Sequence, residues 1–68
     1  MKDYNDLSPS VQLMLEDAVQ SDPYGLSPKT LYKNIVGSLK GTPAFKVAEI
    51  MDVSISLIEM IASENENV

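Results

Sequence analysis

Sixty-eight residues make room for one small domain with one core, and 44% of them are apolar, enough to build it. The chain has no Cys and no His, which excludes disulfides, thiolate metal sites and every Ser-His-Asp or Cys-His mechanism. Ten acids against five lysines and no arginine give a net charge of −5. Four of those lysines (Lys29, Lys33, Lys40, Lys46) lie between Pro23 and Ala48, a stretch without an acid. A basic block between two acidic flanks points to an anionic partner.

Three Ser/Thr-Pro pairs, Ser8-Pro9, Ser27-Pro28 and Thr42-Pro43, have the chemistry of helix starts. The hydroxyl accepts from an orphaned first-turn N–H, and Pro tolerates the first helical position. Val11, Met14, Leu15, Ala18 and Val19 then recur at helical spacing and predict a helix over 9–20. It ends in the breaker-rich run Ser21-Asp22-Pro23-Tyr24-Gly25. Leu31, Tyr32, Ile35 and Val36 predict a second helix over 28–36, with Leu26 stapled onto Leu31 and Gly37 as its stop. Ala44, Val47, Ala48 and Met51 share the face of a third, over 43–52.

Ser54 starts a fourth helix over 55–62, with Val53 stapled onto Ile58. It is apolar almost all round, so it is either buried on several sides or covered by a partner. Ile55, Leu57, Ile58, Met60 and Ile61 are accordingly the candidate dimer or partner interface. Residues 63–68 read as a polar, frayed tail. Strand alternation and hairpin turns are absent, so the expected fold is all-α, a compact bundle of about four short helices. The four methionines (Met1, Met14, Met51, Met60) read as core filler, and Glu16-Asp17 as a solvated face. No apolar stretch approaches the ~18 residues of a membrane span, and Met1–Asp6 is unlike a secretory leader. A cytoplasmic protein without enzymatic activity, cofactor or metal is expected.

Gly25-Leu26-Ser27-Pro28-Lys29-Thr30-Leu31-Tyr32-Lys33-Asn34-Ile35 resembles the turn and recognition helix of small helix-turn-helix regulators, the phage Cro-type repressors among them. In that arrangement one short helix packs behind a second, whose first residues meet base edges in the major groove. The resemblance implies DNA contacts from Ser27, Lys29, Thr30, Lys33 and Asn34, with Lys40 on the following connector. Their chemistry suits this, with Lys for phosphate or guanine, Asn for adenine and hydroxyls for phosphate. Here Ala18 precedes the turn glycine by seven positions, where the family has four.

A second register is also similar to the family. Ala48 is followed by Asp52 in the usual glycine position, Val53 five residues on and Ile58 ten on. Together the two registers cover residues 25–62 and leave open which of them is used. The resemblance implies a DNA-binding transcriptional regulator acting on double-stranded DNA as a homodimer, because one such helix makes too few specific contacts. The rival expectation is an acidic helical adaptor or inhibitor that contacts another protein through its apolar C-terminal helix.

Overall fold

Two serines start helices as their positions predict. In a computed structural model, which describes residues 1–20 and 25–66, Ser27 Oγ accepts the Thr30 N–H at 3.2 Å. Ser54 Oγ likewise accepts the Leu57 N–H at 3.2 Å. The helices are α1 (Pro9–Gln20), α2 (Pro28–Leu39), α3 (Ala44–Met51) and α4 (Ile55–Glu64), preceded by a 3-10 turn over Tyr4–Asp6. No strand occurs among the described residues, and the fold is all-α. The breaker run expected at Ser21–Tyr24 lies outside the described residues.

The other two starts differ from expectation. Thr42 caps nothing, because the Lys46 and Val47 N–H groups return to the Pro43 carbonyl at 3.0 and 3.1 Å. Pro43 is therefore the N-cap, and α3 begins at Ala44 rather than 43. At α1 the Ser8 carbonyl accepts from Val11 and Gln12, while the Ser8 hydroxyl donates outward to Glu64 at 2.9 Å.

The core is one cluster that follows the apolar faces. Val11 and Leu15 enter it from α1, Leu31, Tyr32, Ile35 and Val36 from α2, and Val47 and Ala48 from α3. Leu57, Ile58 and Ile61 complete it from α4, which packs against each of the other three helices. That contact pattern corrects the assignment of Leu57, Ile58 and Ile61 to a partner interface. They are at most 2% exposed inside their own chain, while Ile55 and Met60 remain at the surface. Met14 and Met51 pack against the core, whereas Met1 and Met60 are exposed and fill nothing.

Gly37 does not stop α2, which continues to Leu39. A Cβ at Gly37 would meet nothing within 4 Å, so the residue faces solvent. Glycine there weakens the helix by only about 1 kcal/mol, and continuing the helix packs Leu39 against the core. The chain turns later, where the Gly41 N–H donates to the Ser38 carbonyl.

The α3–α4 turn has a left-handed residue, Asp52, at φ 56° and ψ 47°. Its N–H closes onto the Ala48 and Glu49 carbonyls, and the Val53 N–H onto Ala48. Side chains with a branched Cβ resist this conformation, whereas Asp and Gly tolerate it. Asp52→Val is therefore expected to cost about 1–2 kcal/mol in urea unfolding and Asp52→Gly less than 1 kcal/mol. Equal stability of the two variants would contradict the turn's geometry.

The ends of the chain meet. The tail expected to fray from 63 continues α4 to Glu64, and Glu64 and Asn65 bond to the N-terminal segment. Lys2 donates its backbone N–H to Asn65 Oδ1 at 2.7 Å, and the buried Tyr32 hydroxyl donates to the Lys2 carbonyl. Asn65 Nδ2 donates to Tyr32 Oη and to the Ile61 carbonyl. Gln12 Nε2 holds the 3-10 turn by donating to the carbonyls of Tyr4 and Leu7. Leu7 is buried, and the Tyr4 ring lies tilted against Tyr32 with centroids 6.2 Å apart. Burial, then the negative charge of Glu16, raises the Tyr4 phenol above its ordinary value. Residues 67–68 of the expected tail lie outside the described residues. No described helix is long and apolar enough to cross a membrane.

Candidate nucleic-acid interface

Burial of Leu31, Tyr32, Ile35 and Val36 fixes the roll of α2 and leaves its opposite face in water. Ser27, Lys29, Thr30, Lys33 and Asn34 all lie on that exposed side, and Lys40 is exposed just beyond the last helical residue. Lys40 keeps helical backbone angles, φ −66° and ψ −27°. At 3.6 residues per turn, Lys29, Lys33 and Lys40 then fall within about 40° of one another. They form a stripe about 16 Å long, with Thr30 and Asn34 on its other flank.

None of the three lysines has a hydrogen-bonded or ion-paired partner among the described residues. The two ion pairs found there are Lys2–Glu64 at 3.2 Å and Lys46–Glu49 at 4.0 Å. Lys46, the fourth lysine of the basic block, lies on α3 beside Glu49 and not on the helix that carries the stripe. Its spacing of three from Glu49 was the signal for that.

At the head of α2 the Thr30 N–H is taken by Ser27 Oγ and the Leu31 N–H by the Ser27 carbonyl. Ser27 Oγ also lies 2.9 Å from Thr30 Oγ1. The cap thereby orders both hydroxyls beside the first lysine. Gly25, two residues before the cap, adopts φ 67°, a left-handed turn that glycine enters without steric cost.

The second register has different geometry and different chemistry. Ala48 is buried, Asp52 makes the left-handed turn, Val53 packs on the core and Ile58 is fully buried. The tight turn of three residues between two helices is therefore at α3–α4. The outward positions of α4, however, are Ile55, Ser56, Glu59, Met60 and Ser63, with no cation among them. Spacing and charge thus part company: the tight turn precedes α4, and the lysines are on α2.

An open groove of about 350 Å³ separates α1 from the α3–α4 turn, lined by Met14, Asp17, Ala18, Asp52, Val53, Ser54 and Leu57. The Ser54 hydroxyl is already occupied in capping α4, and the groove's lining has carboxylates, Asp17 and Asp52, but no cation. Among the described residues no group of three or more Asp or Glu side chains could hold a metal ion. No protein-family model, curated protein or solved structure matches the chain.

Proposed function

We infer that this chain is a small helix-turn-helix type regulator of transcription that binds double-stranded DNA through the outer face of α2. The observation that supports this reading is the stripe of Lys29, Lys33 and Lys40, exposed and without a carboxylate partner among the described residues. The three ammonium groups take phosphates, the Ser27 and Thr30 hydroxyls add neutral phosphate contacts, and Asn34 reaches an adenine edge. The net charge of −5 over the whole chain suppresses loose binding. Two copies acting together supply the contacts a specific site needs, in the cytoplasm, as in phage and mobile-element regulators.

Duplex binding followed by fluorescence anisotropy across a salt series tests this. Each phosphate contacted contributes about −0.9 to the log–log slope, so three lysines give about −2.7 per chain. The variant Lys29→Glu/Lys33→Glu is expected to lose binding while its far-UV circular dichroism stays that of wild type. Absence of duplex binding by the wild type at low salt ends this reading.

A second reading has its own observation. The outer faces of α3 and α4 expose Phe45, Ile50, Ile55 and Met60 and no free cation, which suits contact with another protein. In an adaptor or inhibitor of that kind, Ile55→Glu or Met60→Glu abolishes partner capture and the lysine reversals do not.

A further inference from the structure

We propose that Gly37 is the point where α2 touches the sugar–phosphate backbone, left bare so that the duplex comes close enough for Lys33 and Lys40 to reach phosphates on either side of it. The proposal rests on the DNA reading above and adds to it a residue that acts by having no side chain.

The exposed positions of α2 are Lys29, Thr30, Lys33, Asn34 and Gly37. The first four carry groups that bond to nucleic acid, and the fifth carries none. At about 100° per residue, Gly37 lies within about 10° of the direction opposite the middle of the arc of Leu31, Tyr32, Ile35 and Val36, all buried. It stands at the centre of the outer face, with the lysines on one side and Thr30 and Asn34 on the other. Lys33 is about 40° away and about 6 Å earlier along the axis, and Lys40 about 60° away and about 4.5 Å later.

Nothing within the chain asks for glycine here. Gly25 is the glycine with a positive φ, whereas Gly37 keeps helical angles that any residue adopts. An added Cβ would meet no atom within 4 Å, so no neighbouring element packs against it. The helix runs past it to Leu39, with Lys40 as its C-cap, so it does not end the helix. Glycine inside a helix is less favourable than alanine, yet it occupies the part of this face that a docking partner meets first. A bare position serves close approach to the main chain. The two flanking ammonium groups, without a carboxylate partner among the described residues, make the approaching group an anionic one.

Fluorescence anisotropy with a mixed-sequence duplex across a salt series, beside urea unfolding of the free protein, is the test. Gly37→Ala is expected to raise the urea midpoint and to weaken duplex binding, an opposition of signs that a merely structural glycine would not give. Gly37→Leu holds the duplex further off and forfeits at least one lysine contact, so the log–log slope moves from about −2.7 to about −1.8 per chain or shallower. Gly37→Lys adds a cation, and a face that worked by charge alone would then bind more tightly; the expected result is weaker binding than wild type. Far-UV circular dichroism shows the helices intact in all three variants, as the open space at Gly37 requires. Wild-type affinity in Gly37→Ala or Gly37→Leu, or tighter binding by Gly37→Lys, overturns the proposal and leaves the DNA reading standing. A wild type that does not bind the duplex ends both.

Discussion

Ile58→Glu is expected to leave the chain unfolded at room temperature, while Met60→Glu, two residues on, keeps the helix content and urea midpoint close to wild type. Ile58 is 0% exposed at the point where α4 meets the rest of the bundle. Losing its packing costs about 2–5 kcal/mol, and placing a carboxylate there without a partner costs several more. A core this small supplies only roughly 3–5 kcal/mol of net stability, so the sum exceeds what the fold has. Met60 is 43% exposed, and a surface exchange to another good helix former changes stability by about 0.5 kcal/mol or less. Far-UV circular dichroism and urea titration of both variants decide the matter. A folded Ile58→Glu would mean that α4 turns its other face inward.

This contrast also marks where the sequence could be read and where it could not. The faces built from Val11 and Leu15, from Leu31, Tyr32, Ile35 and Val36, and from Val47 and Ala48 repeat at the helical period, so neighbouring residues reveal which side is buried. Ser27 and Ser54 were legible as caps for a similar reason, because capping joins residues three apart. The fourth helix carries apolar residues all round, and its period cannot distinguish Ile58 from Met60. Only the position of three surrounding helices separates them. Leu7 and Tyr4 stand alone in a polar segment and show no period at all, yet both join or line the core. Glu64 and Asn65 looked like a solvated tail because their partners, Ser8 and Lys2, lie 56 and 63 residues away in the chain.

The candidate site divides along the same line. Exposure of Lys29, Thr30, Lys33 and Asn34 follows from the buried arc of α2 and needed no coordinates. Whether acids from the flanks would neutralise the lysines depends on tertiary placement. Lys2 takes Glu64, and Glu49 takes Lys46, which leaves the stripe without a counter-ion among the described residues.

Glu64→Ala is expected to lower stability by about 1–3 kcal/mol, a large share of what so small a domain has. In a capping box a glutamate in the first turn reaches back to the N–H of the capping residue. In α1 that position is Val11, and Glu64 performs the task from the far end of α4. Its carboxylate accepts the Ser8 N–H at 3.1 and 3.3 Å, the Ser8 hydroxyl at 2.9 Å and the Lys2 ammonium at 3.2 Å. Burial alone would push this carboxyl up, but the bonds from Ser8 and Lys2, with the Lys2 charge, hold it below its ordinary value of 4.5.

A carboxyl lowered on folding contributes stability that is complete above the unfolded value and is lost as the pH falls through the folded one. Glu64→Gln keeps the shape and loses the charge, so its stability lacks this segment of the pH dependence. The gap between wild type and Glu64→Gln should be widest at neutral pH and close on acidification below about pH 4.5. Urea unfolding of both proteins at several pH values measures that gap directly. A gap that stays constant into strong acid would mean that the carboxylate's charge does not hold the first helix to the last.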